Sequence, residues 1–492
     1  MRFSKKTIQS NRLFPSNPSQ KLRRALGGVL LAAGLGTLLS ACGGGSSDDE
    51  ATGYFKFYNA SANSPSIYLS LDDTDYPGVN FSQSSSMYEV DNSSFDLSLA
   101  WKEGSDDYNT FIEQEVNFDN GQVDLMMLVG DINNPEFVTY QFKEEDPDTE
   151  DEQFTFRFIN MHNLASANDV YLAKNDQTFN EATLLGSYSY QEMSDSLYAD
   201  LDTYKLYLTE AGSTEVLYES NDITFSNTSQ YVMVIKANSG PSNSNYAIDK
   251  LNKSSGVVEY PDKESRAQVR FYNGLTQHQL LPAFDNSIDI DVSGINGDEY
   301  IDALAKGQFS EAHEVSFGDY AIDVSASGDE TPFAENFFLS LSANNDKTVF
   351  VYHTVEEEED DGDSSTEEEI NLYVNTLSVE NSSRVSLYDH QINIINLVDD
   401  YSVLELYFAR SNETVSTADY SVTSSRALPR VVTLPNNTFD VSIIVRENQS
   451  ELLLSFEQLT LSADSGDMYM IIEEDANSSS GYSVKMVAQN VQ

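Results

Sequence analysis

Few residues in this chain are of types that do covalent or metal chemistry. Cys42 is the only cysteine among 492 residues, and the histidines number five: His162, His278, His313, His353 and His390. A thiolate can attack, bind metal or exchange disulfides only in a neighbourhood that activates it. No H-E-x-x-H, G-x-S-x-G or glycine-rich phosphate loop is present. With 80 Asp and Glu, two carboxylates will lie at glycosidase spacing by chance, so acid pairs carry no weight. The stretch DIDVSGINGDE begins like a calcium loop, with Asp289, Asp291 and Ser293 as candidate ligands. Its twelfth position, where a bidentate Glu belongs, is Tyr300. Ile288, Ile290 and Val292 alternate with the two aspartates, so the competing reading is the polar face of a strand. No catalytic residue, cofactor or firm metal site is assigned, and the expectation is a protein that is not an enzyme, with calcium left open.

Cys42 stands in a more telling place. Seven basic residues and no acid precede it, followed by a charge-free stretch, ALGGVLLAAGLGTLLSA. At about 17 residues that stretch falls short of the ~20 needed to span a bilayer, and it reads as a removable secretion signal. Leu39-Ser40-Ala41-Cys42 resembles the lipobox of bacterial lipoproteins. The resemblance implies cleavage between Ala41 and Cys42 and acylation of Cys42. It implies an exported protein whose partner is the membrane, held through lipid. Gly43, rather than Asp, implies the outer membrane of a Gram-negative cell. Residues 1–41 are then the signal, and 42–53 a flexible Gly/Ser tether.

Beyond residue 41 the 27 basic residues fall to 20 against 80 acids, a formal charge of −60. Such a surface repels nucleic acid. Without a second thiol no intramolecular disulfide can form, so stability must come from packed cores. Hydrophobic residues make up 40% and aromatics 11%, far from the composition of a disordered acidic chain. Tyr, Phe, Val, Ile and Thr between Asn/Asp/Ser/Gly clusters are strand and turn material.

Those strands recur. FKFYN ends at Asn59, FRFIN at Asn160, VRFYN at Asn273 and VSLYD at Asp389, at intervals of 101, 113 and 116 residues. Each opening is followed by an alternating strand, then by an aromatic-x-aliphatic-x-aliphatic strand: Phe95/Leu97/Leu99, Tyr204/Leu206/Leu208, Tyr320/Ile322/Val324 and Phe439/Val441/Ile443. A nearly continuous apolar strand and a last strand close each unit. The pattern predicts an all-β chain of four tandem immunoglobulin-like antiparallel β-sandwiches, at 54–145, 154–253, 267–379 and 384–492. His162, His278 and His390 follow the recurring Asn/Asp, which could place them in equivalent loops.

The openings, the D-V-Y-L type strand and the terminal apolar hairpin resemble the bacterial family catalogued as domain of unknown function (DUF) 4397. VRFYN with SIDIDV and FRFIN with NDVYL match best. The resemblance implies a β-scaffold in a secreted, often lipid-anchored setting, and carries no functional residues.

Two acidic or polar stretches, 143–152 and 252–265, read as linkers. EEEEDDGDSSTEEE (356–369) reads as the solvated tip of the third unit's closing hairpin. The expected function is a structural, adhesive or binding stalk on the cell envelope, partnered by an envelope protein or a glycan. The alternatives are a carbohydrate- or polymer-binding accessory protein and a calcium-stiffened, adhesin-like protein. The lone Trp101 could offer a sugar platform, although its parity with Phe95, Leu97 and Leu99 fits a core or edge position.

Overall fold

The computed structural model describes residues 52–103, 107–145, 152–164, 166–242, 244–357, 370–446 and 450–489. Ala41, Cys42 and the acidic run 358–369 lie outside them. The chain is all-β, built as four sandwich units. Unit 1 holds β1 (Thr52–Asn59), β2 (Tyr68–Leu71), β3 (Thr74–Asp75), β4 (Tyr88–Asp91), β5 (Ser94–Lys102), β6 (Tyr108–Asn117), β7 (Gln122–Val129) and β8 (Glu136–Lys143). One sheet has the order β4-β1-β7-β8 and the other β3-β2-β5-β6. Both sheet orders recur in the other three units, and unit 2 adds edge strands.

Alternation explains the layers. In the β5-type strands, period two turns Leu97 and Leu99, Leu206 and Leu208, Ile322 and Val324, and Val441 and Ile443 inward to the cores. Pairing is antiparallel throughout the described strands, with one exception in each unit. The opening strand runs parallel to the apolar closing strand, with Asn59 opposite Leu128, Asn160 opposite Ile235, Asn273 opposite Val351 and Asn396 opposite Ile472.

The last of these registers corrects the sequence reading of unit 4. Its opening strand is Asp389–Asn396, so its anchor is Asn396 at the end of INIIN, and VSLYD only leads into it. The four asparagines do the same work. Each is fully buried, and each side-chain Oδ1 accepts the backbone N–H two residues on, from Ser61, His162, Leu275 and Val398. An Asn fits here because its short amide supplies an acceptor to a backbone leaving the sheet. A second correction concerns 252–265. Val257–Pro261 is a strand that extends unit 2's sheet, pairing with Tyr246–Leu251. Alternating Val257, Glu259 and Pro261 against Val258 and Tyr260 gave it strand character that the polar flanks masked.

The units do not run out in a line as a stalk would. The β4-β1-β7-β8 sheet of unit 1 packs face to face on its counterpart in unit 2, burying Tyr58, Leu125 and Met127 against Ile159, Val232 and Val234. Units 3 and 4 repeat this with Tyr272, Phe350 and Tyr352 against Ile395, Tyr469 and Ile471. The closing strands are therefore covered on both faces, which is why they read as almost unbroken apolar runs. The two pairs then meet. Asn344 Nδ2 of unit 3 donates to Asn238 Oδ1 and Glu259 Oε1 of unit 2, at 2.9 and 3.1 Å. Tyr388, in the connector ahead of unit 4, stacks on Trp101 of unit 1 at 4.7 Å and donates to Asn133 Oδ1. Unit 1 thus touches both unit 2 and the start of unit 4, and the four units close into a ring.

Candidate ligand cavity

An open cavity of about 690 Å³ lies where the units converge, with walls from all four. Unit 1 brings Phe81 and Gln83, unit 2 Gly240 and Glu259, unit 3 Gln268, Arg270 and Asn344–Asp346, and the end of unit 4 Gln489. The positions follow from the opening motif. Residues four and two before the anchor face the unit's own core, as Phe55 and Phe57 do. Those three and one before it face outward, and in three units the third is basic: Lys56, Arg157 and Arg270.

Arg270 is 3% exposed. Its Nε donates to Thr348 Oγ1 at 2.9 Å and its Nη2 to the Gln489 carbonyl at 2.8 Å, and the guanidinium lies 4.8 Å over Phe309. Burial lowers its pKa from the ordinary arginine value, with Tyr469 and Asp346 opposing. Arg384 pairs with Asp389 and lies 3.6 Å from Asp467. Glu259 pairs with Lys236 at 2.6 Å, Asp346 accepts from Asn381 Nδ2, and Glu380 accepts from Asn345 Nδ2. At the junction, Gly240 passes so close to Asn344 that a Cβ there would lie 2.1 Å from its Oδ1, so a larger residue would push the Asn344 side chain aside.

At each unit pair the tyrosine before the anchor meets a buried carboxylate. Tyr58 OH donates to Asp249 Oδ2, and Tyr272 OH to Glu473 Oε2, both at 2.6 Å. A lysine of the same even-numbered unit completes each group: Lys236 lies 3.2 Å from Asp249, and Lys485 2.6 Å from Glu473. Burial opposes the charge on Lys236, but Asp249 and Glu259 outweigh it and raise its pKa. Burial and Glu473 likewise push the Tyr272 hydroxyl well up.

The residues singled out from sequence do not assemble into a catalytic or metal centre. Asp289 Oδ1 and Oδ2 accept the amides of Ala303 and Gly328, at 2.8 and 2.9 Å. Burial opposes its charge, and those amides outweigh it and lower its pKa. Asp291 and Ser293 follow it, exposed, along one strand, so the carboxylate works on backbone rather than a cation. Among the described residues no three His, Cys, Asp or Glu side chains are gathered as a cation site. Trp101 is 7% exposed and covered by Tyr388, which leaves no open platform.

The histidines are scattered. His162 is buried, stacks on Tyr246 at 4.0 Å and bonds the Asn245 carbonyl. His390 bonds Asn436 Oδ1 and, with the register corrected, precedes its anchor instead of following it. His313 lies 3.4 Å from Glu299. His278 and His353 approach to 6.1 Å between ring centres.

His353 has a consequence for stability. Burial, with His278 and Lys306, lowers its pKa to about 4. An unfolded histidine takes up its proton near pH 6.5. Between those values the unfolded state holds the extra proton, so stability falls as pH drops through the window, by on the order of 2–3 kcal/mol. Replacing it (His353→Gln) will shrink the loss of urea midpoint between pH 7 and pH 4.5 relative to the parent chain. An equal loss in both chains would refute this.

No helix among the described residues is long and apolar enough to cross a membrane. No protein-family model matches the chain, and no curated protein was found similar to it. Solved structures do give matches, 23 chains in all, among them the Bacillus anthracis TIE protein. That alignment covers 86% of this chain and 68% of the other, at 9% identity and a TM-score of 0.15, and at that score the likeness carries no argument.

Proposed function

We propose that this chain is a non-enzymatic, exported, lipid-anchored envelope protein of the DUF4397 type that binds a ligand in its central cavity. The supporting observation is that four scaffold units close around one polar cavity walled by all of them. The charge of −60 beyond residue 41 opposes nucleic acid as that ligand. The lipobox supports the address: acyl chains on Cys42 hold the protein at the outer membrane, since each buried methylene is worth ~0.8 kcal/mol.

The test uses the lipid-anchored chain as bait on solubilised envelope and matrix. One partner, protein or glycan, is expected, and it will be lost when Gln83 and Gln268 in the cavity wall are both replaced by Ala. Turnover of an envelope polymer, or a partner captured equally by the variant, would sink the reading. In cells, Cys42→Ala will release the protein from the membrane fraction.

A further inference from the structure

Resting on the binding-cavity reading above, we infer that the ligand is a neutral oligosaccharide. Each charged wall residue already holds a partner, although Arg384 Nε and Nη1 make no hydrogen bond among the described residues. Glu259 is held by Lys236, Arg384 by Asp389, and Arg270 donates to Thr348 and to the Gln489 carbonyl. Asp346 and Glu380 accept from asparagine amides, and burial raises the pKa of Asp346 toward its neutral form. An ionic ligand would have to share these groups with the partners they already hold, which weakens what it gains from them.

What the wall offers instead is neutral. The side chains of Gln83, Ser239, Gln268, Ser342 and Ser383 line the cavity and make no hydrogen bond to the other described residues. Amides and hydroxyls both donate and accept, which matches a polyol, whose every hydroxyl does the same. Phe81 adds a half-buried aromatic ring, with Lys236 Nζ 5.8 Å from its centre, and sugar C–H groups meet the negative face of such a ring favourably. Asn344 holds a left-handed backbone (φ 67°) at the rim, and its Oδ1 is buried without a hydrogen-bond partner among the described residues. The volume falls within the ~300–1,000 Å³ usual for ligand clefts, which suits a short oligomer.

The experiment is titration calorimetry of the lipid-anchored chain in detergent. The probes are short neutral oligomers of glucose, galactose, mannose and N-acetylglucosamine, uronate oligomers of equal length, and a mixed peptide pool. Binding of a neutral oligomer is expected, with Kd raised about ten-fold or more (≥1.4 kcal/mol) in each of Gln83→Ala, Gln268→Ala and Phe81→Ala. Unchanged thermal unfolding of the variants will show that the ring is intact. No neutral oligomer bound at millimolar concentration, or equal binding by the variants, overturns the inference. Uronates or peptides bound in its place, and lost in the variants, overturn the neutral-sugar assignment while leaving the cavity as a binding site. If nothing binds and the envelope partner is also captured by the variants, both readings fall.

Discussion

Expressed alone, residues 52–145 will fail to give a soluble, cooperatively unfolding protein, whereas residues 52–264 will succeed. The reason is the face that unit 1 turns to unit 2. Tyr58, Val123, Leu125, Met127 and Val129 are all buried in a cluster shared between the two units. Each large apolar side chain stripped of cover forfeits ~1.5–3 kcal/mol, and five of them together rival the ~5–15 kcal/mol that holds a domain together. The same logic makes 266–492 a second independent body, sealed by Tyr272, Phe350, Tyr469 and Ile471. Analytical ultracentrifugation and urea unfolding of the three fragments will decide it. A monomeric, cooperatively unfolding 52–145 would show that the shared cluster is dispensable.

The second large effect lies inside that cluster's polar inset. Changing Lys236 to Met leaves Asp249, fully buried, facing Tyr58 and Ser82 without its cation. Breaking a buried pair from one side costs about 3–5 kcal/mol, while replacing both partners by apolar groups is often neutral. The single variant will therefore unfold at a much lower urea midpoint, and Lys236→Met with Asp249→Leu will recover most of the loss. A double variant no better than the single would place the cost in the lysine's packing instead.

The units 3–4 counterpart sharpens this. By register with the opening strands, Lys236 and Glu473 occupy equivalent positions, and so do Asp249 and Lys485. The two charges are exchanged between the strands. What each tyrosine needs is a carboxylate within reach, and either strand can supply it once the neighbour neutralises it.

That exchange shows where the sequence was legible and where it was not. Period-two alternation of Leu97 with Leu99, or Ile322 with Val324, fixes a face locally, so units and strands could be read directly. The parallel closing pair could not, because its partners lie 69 to 78 residues apart and carry no turn signal. Unit 4 was misread because SLYD imitates an opening strand, while INIIN lacks the aromatic and basic residues of its siblings. The runs VDLMMLV and QYVMVIKA did signal cover on both sides, but not which surface supplies it. Arg270 was hidden within a recurring scaffold motif, and the cavity is a property of four units meeting, which no single stretch encodes. Lys236 aligned with Glu473 looks like an arbitrary charge reversal until the hairpin opposite is seen.

The parallel pairing of the first strand with the penultimate one also has a mechanical meaning. A load applied to the chain ahead of Thr52 pulls β1 along its own axis, against β7 running beside it from Tyr54–Val123 to Asn59–Leu128. The hydrogen bonds between them are then sheared together instead of being unzipped one by one, and rupture must wait for most of the strand to slip at once. Forced opening is set by the unfolding barrier rather than by net stability. The first described strand is therefore paired in the geometry that resists a load arriving along it from its N-terminal side.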